Sequence, residues 1–284
     1  MSPVYDAHTA LPIVVGIDGS DAAVAAARWA AVEAAGRDVE IQLVYVIAKD
    51  ELERRYGARA LDLAETAVRE TDRSIAVASP LLLRGPLVPT LCERTESASL
   101  LVLGPVGTDL VPRVMLGSTA AALAATAACP VAVVRGTDED SPPRSTSPVI
   151  VALGGHDVDA ALVGAAMHEA EIRGTHVLAA RAEPALPGPR GRRALTAEQE
   201  FEDEVGGRVG RWRGDFPEVP VNTMVVYGEA ADALASLSSS AQMVVMGCRG
   251  RDLLEEAALG STSHALLHSA RCPVFVYREP TGTG

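Results

Sequence analysis

The chain has 284 residues, 48% of them hydrophobic, and its 25 basic and 37 acidic side chains leave a formal net charge of −12. That length gives room for about two domains, each with a core of its own, and the composition excludes both a largely disordered chain and a coiled coil. The negative charge repels a polyphosphate backbone, which argues against nucleic acid as a partner.

Taken in chain order, Met1 to Thr9 has neither the basic stretch nor the long apolar core of a secretory signal. Apolar runs such as Ile13 to Ile17 and Val131 to Val134 fall far short of the ~20 residues that cross a bilayer. The expectation is a cytoplasmic protein without a membrane span. Through the first half, short runs rich in Val, Ile and Leu alternate with Ala-rich stretches of helical period, as in strands buried on both faces by crossover helices. The periodicity predicts strands near 12–17, 40–47, 80–84, 100–104 and 130–135, and helices near 21–36, 56–76, 87–98 and 117–127. A parallel α/β sheet follows.

Ligands of such a sheet bind at the carboxyl ends of strands, where helix N-termini point amides outward. Lys49 is the only lysine, so a lysine-based phosphate clamp is excluded and a phosphate site must use backbone amides or Arg. Leu103 ends a predicted strand. Gly104-Pro-Val-Gly107 follows it and, after nine further residues, Gly117-Ser118 opens the next helix. Glycines let the backbone approach an anion, and a Ser at a helix start caps it or donates to a phosphate oxygen. Glycines at this spacing also serve as plain turns and caps.

Thr137 to Pro148 is charged and proline-rich and reads as a linker, leaving residues 1–136 and 149–284 as domains. The second half repeats the first. Ile13-Val-Val-Gly-Ile-Asp18 matches Val149-Ile-Val-Ala-Leu-Gly154 at an offset of 136, in a register that runs on to Arg37 and Arg173. Leu100-Leu-Val-Leu-Gly104 matches Met243-Val-Val-Met-Gly247, and Ala128-Cys-Pro-Val-Ala-Val-Val-Arg135 matches Arg271-Cys-Pro-Val-Phe-Val-Tyr-Arg278, now at an offset of 143. The seven added residues are placed in the Pro/Gly/Arg-rich stretch Glu183 to Arg193, a surface loop. The glycine spacing recurs as Gly247-Cys-Arg-Gly250, nine residues, and Gly260-Ser261.

With Asp18-Gly-Ser20 after the first strand, both Gly-x2-Gly-x9-Gly-Ser motifs and both Cys-Pro-Val strands, nearly the whole chain resembles the universal stress protein family, in its tandem-domain, ATP-binding branch. The resemblance implies two doubly wound, five-stranded parallel sheets of Rossmann-like, adenine nucleotide alpha hydrolase-like type, with ATP in a cleft and pairing through the last strand. By the same resemblance Asp18 contacts ribose or a metal-bound phosphate, with Mg²⁺ as the metal, and backbone near Val46 holds adenine. Gly104, Gly107, Gly117, Ser118 and Thr119 wrap the phosphates; Gly247, Arg249, Gly250, Gly260, Ser261 and Thr262 are their counterparts. The sequence departs from the pattern at Gly154, where the second copy lacks the carboxylate, with Asp157 three residues on, and at Pro105, which removes a backbone donor from the first loop. Ala182 matches Val46 and suits a backbone role.

Several residues also have plainer readings. Asp18 is placed to cap the following helix. His264 and His268 stand four apart without an evident third ligand and read as surface or packing residues. Cys129 and Cys272 read as small buried groups, and Cys92 and Cys248 lack a partner for a redox motif. Phe201, Val205, Val209 and Trp212 share the apolar face of an amphipathic helix. The expected function is an ATP-dependent regulator of stress response or growth arrest that self-associates through edge strands and acts on an unnamed signalling partner. The alternatives are a slow Mg-dependent ATPase, which lacks an evident base and concentrated positive charge, and a scaffold with degenerate nucleotide sites.

Overall fold

The Val/Ile/Leu runs form strands because both faces are covered by helices: Ile13, Val15, Leu100, Leu101 and Val102 are wholly buried, as are Val149, Ile150 and Val151 in the repeat. The computed structural model describes residues 11–47, 51–105, 117–135, 146–154, 160–184, 192–248 and 259–278. They divide into two units. The first runs β1 (Ile13–Gly16), α1 (Asp21–Arg37), β2 (Ile41–Ile47), α2 (Glu51–Thr71), β3 (Leu81–Arg84), α3 (Leu87–Thr95), β4 (Leu100–Leu103), α4 (Ser118–Thr126) and β5 (Val131–Val133). Its sheet has the order β3-β2-β1-β4-β5 and every pairing is parallel. The second runs β6 (Val149–Ala152), α5 (Ala160–Ile172), β7 (Val177–Glu183), α6 (Arg192–Val209), β8 (Val221–Tyr227), α7 (Ala230–Ser238), β9 (Met243–Gly247), α8 (Ser261–Ser269) and β10 (Val274–Tyr277), in the equivalent order β8-β7-β6-β9-β10. In both, the chain winds outward from the first strand and then returns to its other side. The reversal opens a crevice at the carboxyl ends of β1 and β4.

The five strands expected in the first unit are present within two residues of their predicted ends. The helix expected at 56–76 differs: α2 starts at Glu51 and stops at Thr71. Glu51 and Glu53 in its first turn suit the positive end of the helix. After Thr71, Asp72 accepts from the Ser74 amide at 2.8 Å and the Ser74 hydroxyl at 2.7 Å, a local turn that competes with further helix. The amphipathic face of α6 is as expected, with Phe201, Val205 and Val209 buried. Trp212 lies just beyond the helix, where its indole N–H donates to the Ala160 carbonyl at 2.6 Å. Among the described residues no helix is long and apolar enough to cross a membrane.

Two features invisible to periodicity recur in both units. Thr95, at the end of α3, donates to the Cys92 carbonyl at 2.6 Å and accepts the Ala128 amide at 2.8 Å, tying α3 to the chain before β5. Ser238 repeats this on Ala235 and Arg271 at 2.6 and 2.9 Å. Both hydroxyls are buried. Likewise the buried Glu33 pairs with Arg37 at 3.5 Å, and the buried Glu169 with Arg173 at 2.6 Å.

Cys129 and Cys272 are buried as small apolar groups, and burial pushes the Cys129 thiol up to about 12. The thiol therefore stays protonated throughout the neutral range. In the native protein at pH 8, alkylation followed by mass mapping is expected to modify the half-exposed Cys92 and spare Cys129 until denaturant is added. Thr95→Val keeps shape but strips a buried amide of its acceptor, and should lower stability by about 1–2 kcal/mol. A denaturant titration of that variant checks the loss.

Candidate functional site

The crevice of the first unit is built by how each strand stops. At the end of β1, the Ile17 amide makes a last bond to the Val44 carbonyl at 2.8 Å, and the chain turns away through Gly19 at φ 88°. That left-handed conformation suits glycine. A Cβ on Gly19 would also lie 2.6 Å from the Tyr56 hydroxyl oxygen, so the Tyr56 ring packs directly on this turn. Asp18 Oδ1 accepts both the Ser20 amide at 2.9 Å and the Ser20 hydroxyl at 2.6 Å. Ser20 in turn caps α1 by accepting the Ala23 amide at 3.1 Å. The capping role expected of Asp18 thus belongs to Ser20, while Asp18 orients the cap. Its Oδ2 accepts no hydrogen bond from the described residues.

β2 is longer than β1. Gly16 pairs with Val44, after which β1 ends, while β2 continues to Ile47. In a parallel ladder alternate residues turn both backbone groups to the same neighbour, so the N–H and C=O of Val46 face the side that β1 has vacated. A donor and an acceptor stand there together at the crevice.

Beyond β4, a Cβ on Gly104 would meet the carbonyl carbon of Ala22 at 3.1 Å, so this glycine lets the end of β4 close on the start of α1. Pro105 supplies no amide, but its carbonyl accepts the Gly117 amide at 2.6 Å. The Gly117 amide is therefore occupied. Gly117 caps α4 without a side-chain hydrogen bond, and the amides of Ser118 and Thr119 remain in the open first turn. α1 thus has a side-chain cap, and α4 has none.

Six predicted residues, Asp18, Val46, Gly104, Gly117, Ser118 and Thr119, line one cavity of about 470 Å³. Pro105 and Glu53 line it too, and Glu53 had no role in the sequence reading. Burial, followed by the nearby Glu53, Tyr56 and Asp18, pushes the Tyr45 hydroxyl above its usual value. Tyr45 and Tyr56 meet edge to face at 6.4 Å.

The second unit keeps the backbone of this arrangement and changes its side chains. The Leu153 amide bonds the Ala180 carbonyl at 2.9 Å, so Ala182 faces the vacated side as Val46 does. Gly247 closes β9, and Gly260 caps α8, whose first residues are Ser261 and Thr262; the Gly260 amide bonds the Cys248 carbonyl at 3.2 Å. No carboxylate stands at Gly154. In place of Tyr45 it has the buried Arg181, which pairs with Glu204 and lies 4.3 Å over the Phe201 ring. Ser263, buried, donates back to the Gly247 carbonyl at 3.1 Å, where the first unit has Ala120. Gly107, Asp157, Arg249, Gly250 and Lys49 lie outside the described residues. The His264 and His268 rings are 4.8 Å apart on α8, and no group of three His, Cys, Asp or Glu suited to a metal ion occurs among the described residues.

Comparison with known proteins gives a consistent result. The sequence pattern of the universal stress protein family matches residues 11–135 and again 146–278. A universal stress protein of Mycobacterium tuberculosis is 36% identical over 290 residues, covering 94% of this chain and 97% of that one. A second from the same organism is 34% identical over 287 residues, covering 95% and 96%. Among solved structures, a universal stress protein of Archaeoglobus fulgidus superposes with a TM-score of 0.67 at 17% identity, over 96% of this chain and 98% of that one.

The turn that carries Asp18 is testable through its glycine. Gly19→Ala forces a side chain into a left-handed position and against Tyr56, and should cost about 1–3 kcal/mol. The expected result is a lower thermal midpoint, accompanied by increased solvent exposure of Tyr56 in its fluorescence or absorbance.

Proposed function

Since the chain belongs to the universal stress protein family, we propose that it is a nucleotide-dependent regulator that takes ATP with Mg²⁺ in the crevice of its first unit. Occupancy would then shift conformation or partner affinity in a stress or growth-arrest response. The observation that carries this reading is the sequence of groups along one cavity. Paired backbone groups at Val46 suit the edge of a base, the carboxylate of Asp18 suits ribose hydroxyls, and the open first turn of α4 suits phosphate.

Asp18 would be the residue to hold the Mg²⁺, in keeping with a cation that takes one or two carboxylates plus substrate phosphates. When bound, the ion neutralises phosphate charge. Binding rather than turnover is favoured by the lining itself: its charged side chains are Asp18 and Glu53, both acids, with no cation among the described lining residues to stabilise charge on a transferring phosphoryl group. The second unit, with Gly154 in place of the acid, fits a structural role better.

Isothermal titration of the intact chain with ATP and Mg²⁺ tests the reading. Heat of binding is expected for the natural chain and for Gly260→Asp, and a loss of at least about tenfold in affinity for Asp18→Ala. Retained binding in Asp18→Ala, or no binding in the natural chain, refutes the assignment to the first unit.

A further inference from the structure

Among the described lining residues of the cleft, Glu53 is the charged group to which the nucleotide reading gives no contact with the ligand. It sits in the first turn of α2, where Leu52, Arg54 and Arg55 are exposed, while its own side chain is half-buried and lines the same cavity as Tyr45 and Val46. We infer that Glu53 selects the base: its carboxylate accepts a hydrogen from the amino group of a 6-aminopurine held at Val46, and so discriminates against 6-oxopurines. The inference rests on the proposed nucleotide site and names which base that site prefers.

The order of the sheet sets the direction of the ligand. Going from β4 through β1 to β2, the cavity presents the first turn of α4 and Gly104, then Asp18, then Val46. Phosphate at α4 puts ribose over β1 and the base over β2. Glu53 belongs to the β2 end, since α2 starts at Glu51, just after β2 stops at Ile47, and Glu53 in its first turn lines the cavity.

At that end the backbone of Val46 offers one donor and one acceptor. A 6-aminopurine meets the donor with a ring nitrogen and the acceptor with one amino hydrogen. Its second amino hydrogen then needs an acceptor, and Glu53 is the carboxylate that lines this end of the cavity. An ionised carboxylate only accepts, so it serves an amino group and repels a carbonyl oxygen. A 6-oxopurine at the same place would set its oxygen against both the Val46 carbonyl and Glu53, with no proton for either.

Glu53 in a first helical turn also favours the α2 dipole. That role would show in stability and would not tell one base from another.

The test is titration of the full chain with Mg·ATP and Mg·ITP, which differ only in the amino or oxo group at position 6. The natural chain should prefer ATP by about tenfold or more. Glu53→Gln, whose amide can donate as well as accept, should lower that ratio by about threefold or more, leaving the part that the Val46 backbone supplies. Leu52→Ala, on the same turn but 76% exposed, should leave the ratio unchanged. Equal affinities in the natural chain, or an unaltered preference in Glu53→Gln, overturn the inference while leaving the nucleotide site standing. Failure of both nucleotides to bind the natural chain removes the site itself and the inference with it.

Discussion

The crevice depends on one close approach. The end of β4 lies so close to the start of α1 that a Cβ on residue 104 would stand 3.1 Å from the backbone of Ala22, tighter than an ordinary contact. The contact falls where strand order reverses, so it sets the gap between the Asp18 turn on one side and α4 on the other. The glycine that reads in sequence as a phosphate-loop residue is thus first a packing requirement, and any ligand contact it makes is a consequence of that packing.

Around this contact the two helix starts behave in opposite ways. α1 meets its own need for acceptors through Ser20, and Asp18 holds Ser20 in place with one oxygen. α4 begins at a glycine that offers no side-chain acceptor. Orphan amides need a partner, whether solvent, side chain or ligand. The division follows from a serine at one cap and a glycine at the other. It gives the cavity a carboxylate region and an anion-accepting region without any cationic side chain among its described lining residues.

Much of this was legible in the sequence. Alternation of β-branched runs with Ala-rich stretches identified the parallel sheet, and the constant offset between halves identified the duplication. Position after a buried strand singled out Gly104, the helix start singled out Ser118, and the family resemblance singled out Asp18. What stayed hidden depends on contacts distant in sequence. The partnership of Thr95 with Ala128 leaves no periodic trace, and neither does the pairing of the Gly117 amide with Pro105. Glu53 was hidden for a different reason: an acid in a first helical turn is so common that nothing local separates one facing a cavity from one facing water. The one clear signal, that Glu53 is less exposed than its neighbours, exists only once α2 is packed.

The duplication separates what folding requires from what the crevice requires. The buried hydroxyl after the third helix of each unit is kept as Thr95 and Ser238, and the buried ion pair is kept as Glu33–Arg37 and Glu169–Arg173. These positions carry the cost of unpaired buried groups if they change alone, so both copies hold them. The crevice residues carry no such penalty, and they diverge. Asp18 becomes Gly154, Tyr45 becomes Arg181, and Ala120 becomes Ser263, which turns back on its own backbone. Nor is Gly154 forced by crowding: a Cβ built there meets nothing within 4 Å. The carboxylate is missing from a place with room for it. Its absence is therefore not imposed by packing among the described residues, whereas the paired buried groups of both units are held by packing.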